Sequence, residues 1–380
     1  MRFETAAIHA GQEPEEKTGA IVVPIFQTAT YAQPAIGEHK GYEYSRTHNP
    51  TRKAFEECLA ALEGGKYGMA FGSGMAAIST TMTLLKKGDH LVSSDDVYGG
   101  TYRVFERIFR DWGLDFTFVD ASDLTNVVAA IKPNTKMLWL ETPTNPLLKI
   151  TDLRAASELA RKHNLILVVD NTFASPYFQR PLEFGVDLVI HSATKFLGGH
   201  SDVVGGGAVT SNEKLFERLS FSQNAIGGIL GPFDAWLILR GMKTLGIRMR
   251  QHEANTKLIA QHLEKHRRVK KVLYPGLPSF PHHQAAKKQM TGFGSLLSFY
   301  IDGGEAEARQ ICRSTKVFSL AESLGGVESL IEHPALMTHA SIPKEIRESR
   351  GIGDDLIRLS VGIEHVDDLI EDLDRALNSY

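Results

Sequence analysis

The chain has 380 residues, of which 42% are hydrophobic and 23% charged, as in an ordinary globular protein of two or three domains. Its 42 basic and 45 acidic residues give a net charge of −3, so electrostatics favour neither a nucleic acid nor an anionic membrane as partner. No apolar run approaches the ~20 residues that a membrane-spanning helix needs.

The opening segment, "MRFETAAIHAGQEPEEK", lacks the apolar stretch of a secretory signal. The two cysteines, Cys58 and Cys312, lie far apart, and neither belongs to a CxxC motif. We therefore expect a cytoplasmic protein whose thiols are structural.

Residues 1–50 carry Pro24, Pro34 and Pro50 and show little periodicity, which predicts an extended arm lying on a neighbouring subunit. From Thr51 the pattern is regular, beginning with the helical stretch "TRKAFEECLAALEGG". Helical stretches then alternate with short apolar runs: "HLVSSD", "FTFVD", "MLWLE", "LILVVD" and "DLVIHS". This alternation predicts βαβ units and a mostly parallel sheet in a large domain, residues 51–245.

The long amphipathic stretch "FDAWLILRGMKTLGIRMRQHEANTKLIAQHLEKH" predicts one or two helices that lead out of the large domain. The runs "SLLSFYI" and "LIRLSVG" then indicate further strands, and "HVDDLIEDLDRAL" indicates a closing helix. Residues 246–380 are therefore predicted to form a smaller α/β domain.

Polar residues follow three of the predicted parallel strands, at the edge of the sheet where ligands bind. Asn145 follows "MLWLE", Asp170 follows "LILVV", and Lys195 follows "LVIH" together with Ser192 and Thr194. Most lysines are merely surface residues. A lysine beside a core strand on this edge is instead typical of a partly desolvated amine that forms an imine.

Asp170 could simply cap the following turn, but a carboxylate after so apolar a strand needs a strong partner. An imine-forming lysine and a carboxylate that holds a protonated ring nitrogen are what pyridoxal phosphate requires. "GSGMAAI" offers a site for the phosphate, because Gly72, Ser73 and Gly74 open a helix at Met75. Small residues at this point let backbone N–H groups approach an anion. Many helices begin this way without binding anything.

Two further residues have both a structural and a functional interpretation. Tyr98, in "DDVYGGTYR", is either a half-buried turn residue or a ring that stacks on a cofactor. Arg358, at or near the end of the strand "LIRLSVG", requires a carboxylate from the protein or from a ligand. The histidines form no HExxH or HxxxH pattern, so no metal site is expected.

The ordered motifs "YEYSRTHNPT", "GSGMAAI", "DDVYGGTYR", "ETPTNPLLKITD", "VVDNTF" and "HSATKFLGGHSDV" resemble the Cys/Met-metabolism family of pyridoxal-phosphate enzymes. So do "RGMKTLGIRMRQH" and "AESLGGVESLIEHPALMTHASIP", and the resemblance extends from about Glu4 to Leu377. It implies the α/β fold of type I pyridoxal-phosphate transferases, with a large cofactor domain and a smaller C-terminal domain. It also implies a homotetramer, a dimer of dimers whose active sites are shared between subunits.

The resemblance implies that Lys195 bonds the cofactor and carries protons, with Tyr98 as the second catalytic residue. Asp170 would pair with the ring nitrogen and Tyr98 would stack on the ring. The residues implied to hold the phosphate are Gly74, Met75, Ser192 and Thr194, with Tyr44 and Arg46 reaching over from the neighbouring subunit's arm. The residues implied to bind the amino-acid substrate are Asn145, Glu322, Ser323 and Arg358.

Within the family the chain most resembles the bacterial cystathionine γ-lyases, which implies γ-elimination of L-cystathionine to L-cysteine, 2-oxobutanoate and ammonia. Several such enzymes also release hydrogen sulfide from homocysteine or cysteine. Gly100 stands where methionine γ-lyases typically carry cysteine. At Glu322 the chain resembles both the γ-lyases and the γ-synthases, whereas dedicated β-lyases usually carry a bulky aromatic residue there. Cystathionine γ-synthase and β-lyase remain the alternatives. A methionine γ-lyase, a non-catalytic binding protein or an aldolase without this cofactor is disfavoured.

Overall fold

Two β-sheets with helices packed against them make up the computed structural model, which describes residues 1–379. The first sheet contains seven strands: β1 Tyr67–Phe71, β2 His90–Ser94, β3 Asp115–Val119, β4 Thr135–Glu141, β5 Ile166–Asp170, β6 Leu188–Ser192 and β7 Gly206–Thr210. The second sheet contains five: β8 Val269–Leu273, β9 Leu296–Ile301, β10 Ser319–Leu320, β11 Leu330–Glu332 and β12 Leu356–Ser360.

Helices lie before, between and after these strands. They are α1 Phe3–His9, α2 Pro50–Glu63, α3 Gly74–Thr81, α4 Gly99–Val104, α5 Leu124–Ala130, α6 Leu153–Lys162, α7 Ser175–Phe178, α8 Glu213–Ile226, α9 Pro232–Met242, α10 Leu245–Leu263, α11 His283–Gln289, α12 Glu305–Ser314, α13 Lys344–Ser349 and α14 Val366–Leu377. A π-helical segment, Phe105–Phe109, continues α4, and short 3-10 turns lie at Met82–Leu84 and Pro181–Phe184.

The first sheet has the strand order β1-β7-β6-β5-β4-β2-β3, and every pair in it is parallel except the two that involve β7. The predicted α/β fold with a mostly parallel sheet is confirmed. Sequence reasoning missed β1 and β7 because "YGMAF" and "GGAVT" are short and rich in glycine and alanine. A strand buried on both faces is recognised chiefly by a run of bulky β-branched residues, which these lack.

The second sheet, in the order β10-β11-β12-β9-β8, is antiparallel except where β10 meets β11. Helix α10 starts at Leu245, next to the predicted boundary between the two domains, and the boundaries themselves stay predictions. The predicted arm is not entirely extended, since α1 packs Ala6 and Ala7 against α2.

Local sequence explains the elements that carry the site. Helix α2 starts where the Asn49 side chain accepts hydrogen bonds from the backbone N–H groups of Thr51 and Arg52, with Pro50 at the first helical position. Strands β4, β5 and β6 are buried along nearly their whole length. Each buried leucine or valine there stabilises the fold by about 1.5–3 kcal/mol, which makes the ends of these strands rigid supports.

Candidate active site

A pocket of about 300 Å³ lies at the carboxyl ends of strands β4, β5 and β6, and residues near β12 of the second sheet close it. This is the edge of a parallel sheet at which ligands bind in other α/β proteins. All the predicted site residues except Tyr44 and Arg46 line the pocket: Gly74, Met75, Tyr98, Asn145, Asp170, Ser192, Thr194, Lys195, Glu322, Ser323 and Arg358.

Lys195 lies in the turn that follows β6, and its ammonium donates a hydrogen bond to Ser323 Oγ at 2.6 Å. Burial lowers the pKa of Lys195 from its ordinary value of 10.5 to about 8, and the positive charge of Arg358 acts in the same direction. A substantial fraction of this amine is therefore neutral near pH 8, as a nucleophile or proton acceptor must be.

Two carboxylates end neighbouring strands at the floor of the pocket. Glu141 is the last residue of β4 and Asp170 the last of β5, and the two are register partners in the sheet. Asp170 Oδ1 accepts a hydrogen bond from the Thr172 N–H at 3.0 Å. Burial raises the pKa of Asp170 and raises that of Glu141 well above its ordinary value, with the negative charge of Asp170 adding to the latter effect. Both shifts disfavour the ionised forms of these buried acids.

The start of helix α3 presents backbone donors to the same pocket. The Ser73 hydroxyl caps the helix by accepting from the Ala76 N–H at 3.0 Å, while the N–H groups of Gly74 and Met75 lie in the first turn, where helix geometry provides no acceptor. A Cβ atom at Gly74 would lie 2.9 Å from the Ser192 Cβ, so glycine allows α3 to pack directly on the end of β6. The result is a polar concavity suited to an anion.

Tyr98 precedes helix α4 and lines the pocket, and the residue is 39% exposed. Its backbone N–H donates to Glu141 Oε2 at 2.9 Å, so a carboxylate from β4 anchors the residue that starts this helix. Gly99 packs its backbone against the Thr338 carbonyl oxygen, closer than a side chain there would allow. These two contacts fix the backbone position of Tyr98 and therefore the point from which its ring extends.

Arg358 lies in the middle of β12, not near its end as predicted, because the strand continues for two residues beyond it, to Ser360. One guanidinium nitrogen, Nη1, donates to Asn145 Oδ1 at 2.8 Å, and Nη2 donates to the Ser323 carbonyl oxygen at 2.9 Å. Ser323 adopts φ +102°, a conformation that non-glycine residues rarely tolerate. Such strain persists where surrounding contacts enforce it, and here one serine contacts both Lys195 and Arg358.

Tyr44 and Arg46 line a different pocket, formed by the arm together with Ile229. Tyr44 is 47% exposed, and the Arg46 guanidinium carbon lies 5.7 Å from the centroid of its ring. Neither residue lines the main pocket of its own chain. Their implied role in a neighbouring subunit stays a prediction.

Four polar residues that line the main pocket were not among the predicted site residues: Ser73, Glu141, Thr172 and Thr338. Glu141 could have been found, because a carboxylate that ends the apolar strand "MLWLE" raises the same question as Asp170. Thr172 lies two residues after Asp170. Its hydroxyl accepts a hydrogen bond, at 2.8 Å, from the N–H of Ser192 at the end of β6. Thr338 belongs to a turn that no periodicity marks.

Within residues 1–379, no helix is both long and apolar enough to cross a bilayer. In the same range, the histidine, cysteine and acidic side chains form no group of three or more that could hold a metal ion.

The sequence profile described as "Cys/Met metabolism PLP-dependent enzyme" matches residues 4–378. The chain belongs to this family. Its members use pyridoxal phosphate, which is therefore the cofactor of this chain, and they act in cysteine and methionine metabolism. The resemblance inferred from the sequence motifs is confirmed over nearly the whole chain.

Three similar proteins carry the names of three different reactions. A cystathionine β-lyase of Coxiella burnetii is 56% identical, over 99% of this chain and 97% of its own. A probable cystathionine γ-synthase of Herpetosiphon aurantiacus is 57% identical, over 83% of this chain and 99% of its own. The crystal structure of cystathionine γ-lyase from Lactobacillus plantarum, complexed with L-serine, superposes with a TM-score of 0.97 at 51% identity, covering 100% of this chain and 99% of that one. This chain is therefore a pyridoxal-phosphate enzyme of the trans-sulfuration type, and the relatives' names differ in the reaction that they give.

The pocket residues of this family member fit pyridoxal phosphate. The amine at position 195 has the lowered pKa that reaction with an aldehyde requires. Asp170 is a buried carboxylate whose burial is costly without a cation, and a protonated pyridine nitrogen would supply one. The first turn of α3, with the Ser192 and Thr194 hydroxyls nearby, offers donors for a phosphate.

Proposed function

We propose that this protein catalyses γ-elimination of L-cystathionine, in which cystathionine and water give L-cysteine, 2-oxobutanoate and ammonia. The observation that carries the proposal is the position of Glu322, an exposed carboxylate on the rim of the pocket near Lys195. Cystathionine has an amino-acid group at each end. When one end is bound inside the pocket, a carboxylate at the rim would attract the ammonium of the other end.

For the cofactor, we propose that Lys195 forms the covalent bond, Asp170 pairs with the ring nitrogen and Tyr98 stacks on the ring. Gly74 and Met75 would hold the phosphate through their N–H groups. Ser192 and Thr194 would add hydroxyl donors to the same phosphate. When bound, pyridoxal phosphate withdraws electrons from the α-carbon of an attached amino acid and so makes its proton acidic.

The chain's own residues would then move protons and orient the substrate. The Lys195 Nζ, neutral in part because its pKa is about 8, would accept the α-proton and later return protons to the product. The Tyr98 hydroxyl would assist departure of the thiolate. Arg358 would bind the α-carboxylate, with Asn145 and Ser323 holding the guanidinium in place.

We further propose a homotetramer built as a dimer of dimers, in which Tyr44 and Arg46 of each arm reach the phosphate of a neighbour. The supporting observation is that the arm carries these side chains exposed and away from the pocket of its own chain.

A related observation disfavours other substrates. Family members that act on methionine typically carry cysteine where this chain has Gly100, and dedicated β-lyases typically carry an aromatic residue where it has Glu322. Release of hydrogen sulfide from homocysteine or cysteine would be a side activity of the same residues.

The alternatives are β-elimination and γ-replacement, and the names of the Coxiella and Herpetosiphon relatives support considering both. The experiment is to incubate the purified enzyme with cystathionine, and separately with O-acetyl- or O-succinylhomoserine plus cysteine. Accumulation of 2-oxobutanoate from cystathionine supports the proposal. Pyruvate as the main product would identify a β-lyase, and efficient formation of cystathionine would identify a γ-synthase.

A further inference from the structure

A buried glutamate lies behind the arginine proposed to bind the substrate carboxylate. Glu332 on β11 and Arg358 on β12 are register partners, and Glu332 Oε1 lies 3.0 Å from Arg358 Nη1. Glu332 is 1% exposed and Arg358 2% exposed. Arg358 lines the pocket and Glu332 does not, so the carboxylate contacts the guanidinium from the side away from a substrate.

The hydrogen bonds of this pair are incomplete on both sides. Arg358 uses Nη1 and Nη2 on Asn145, Glu332 and Ser323, but its Nε is buried and has no partner among residues 1–379. Glu332 Oε1 accepts from the Thr338 hydroxyl at 2.9 Å, whereas Oε2 is likewise buried without a partner in the described chain. The guanidinium thus keeps hydrogen-bonding capacity that the described protein groups do not use.

Glu332 opposes the positive charge of that guanidinium before a substrate arrives. Burial raises the pKa of Glu332, while the neighbouring charge of Arg358 acts in the opposite direction and favours the ionised carboxylate. A second carboxylate that binds Arg358 is attracted by the guanidinium and repelled by Glu332 across it. In a poorly solvated site such a repulsion is not screened away, and it changes a binding constant by about tenfold or more. Glu332 thus weakens the attraction for a substrate carboxylate without touching the substrate.

We propose that Glu332 is a positioning residue that holds Arg358 and limits its affinity for carboxylates. The proposal rests on the proposed function, in which Arg358 binds the α-carboxylate. That carboxylate is kept throughout the reaction, because the half of cystathionine bound there leaves as 2-oxobutanoate. An interaction made equally with substrate and product does not speed the chemical step, and excess affinity would delay release of the product.

The test uses the enzyme with its cofactor and compares Glu332→Gln with Glu328→Gln. Glu328 is an exposed glutamate that accepts from the Ser201 hydroxyl, so its variant controls for the loss of one negative charge. L-Alanine, which has no γ-leaving group, and L-alaninamide, which lacks the carboxylate, are titrated against the visible absorption of the cofactor. We expect the dissociation constant for L-alanine to fall about tenfold in Glu332→Gln alone, with no change for L-alaninamide.

The same variant should lower KM for cystathionine while kcat stays equal or falls, a pattern that general structural damage does not give. An unchanged or weakened affinity of Glu332→Gln for L-alanine would overturn the proposal. If Glu332→Gln does not retain the cofactor, Glu332→Met removes the charge without a buried amide, and the same expectation applies. Equal binding of L-alanine and L-alaninamide by the unmodified enzyme would refute carboxylate recognition itself. Failure to form 2-oxobutanoate from cystathionine would refute only the proposed reaction.

Discussion

The low pKa of Lys195 implies a cost in stability, which predicts that Lys195→Met stabilises the cofactor-free protein. Folding transfers this ammonium from water into a pocket where burial and Arg358 oppose its charge. The shift from 10.5 to about 8 corresponds to roughly 3 kcal/mol at about 1.4 kcal/mol per pKa unit. Methionine has a similar volume and no charge, so the variant should unfold with a free energy higher by up to about 3 kcal/mol at pH 7.

The pH dependence distinguishes this electrostatic cause from better packing. Below pH 8 the amine is protonated in both the folded and the unfolded chain, so the penalty is complete. Between about 8 and 10.5 the folded protein has lost the proton that the unfolded chain still binds, so the stability of the unmodified protein rises relative to the variant. Above about 10.5 the advantage of the variant should be nearly gone.

The assay is urea denaturation of both proteins after removal of the cofactor, at several pH values from 7 to 10.5. Lys214→Met, a change at an exposed lysine of α8, is the matched control and should alter stability by about 0.5 kcal/mol or less at every pH. A Lys195→Met variant that is less stable than the unmodified protein, or whose advantage does not decline with pH, would refute the reasoning.

Three further predictions concern the cofactor pocket. Arg46→Ala should weaken affinity for pyridoxal phosphate about tenfold, the loss of one charge-assisted contact, when measured by equilibrium dialysis, and unchanged affinity would exclude the arm from the site. Gly99→Ala should lower the free energy of unfolding by about 1–3 kcal/mol, because the Cβ of the new alanine would collide with the Thr338 carbonyl oxygen. The same variant should also bind the cofactor more weakly. Gly228→Ala, where a Cβ makes only ordinary contact at 3.6 Å, is the control. Asp170→Ala should bind the cofactor more weakly than the unmodified protein, and equal absorption spectra at limiting cofactor would argue against its proposed pairing.

The parallel sheet and most of the pocket were predictable because apolar strands and the polar residues after them are local in sequence. The segment "LILVVD" contains both a buried strand and the carboxylate that ends it. The segment "HSATK" likewise contains the end of a strand and the lysine that follows it, Lys195. The rule that ligands bind at the carboxyl ends of parallel strands then brings together residues that are far apart in the chain. No knowledge of the loops between them is needed.

What could not be predicted depends on contacts between distant segments. Strand β11 has three residues, so "LIE" gives no periodic signal that would place Glu332 opposite Arg358. The strained backbone of Ser323 is likewise invisible in "AESLGG", because a positive φ at a serine is enforced by its surroundings. Only the family resemblance singled that residue out.

The position of Ser323 explains why the pocket needs both sheets. Lys195 belongs to the edge of the first sheet and Arg358 to the middle of a strand in the second, and their positive charges repel each other across the pocket. Ser323 contacts both, with its hydroxyl on the lysine and its carbonyl oxygen on the arginine, which a relaxed backbone at this residue would not provide in the same place. The distance between the amine that would take the α-proton and the guanidinium that would hold the α-carboxylate is thus set through one strained residue. The amine would act on the α-carbon, and the guanidinium would hold the carboxylate attached to that carbon. A substitution at Ser323 should therefore lower the rate of proton transfer more than it lowers the affinity for the cofactor.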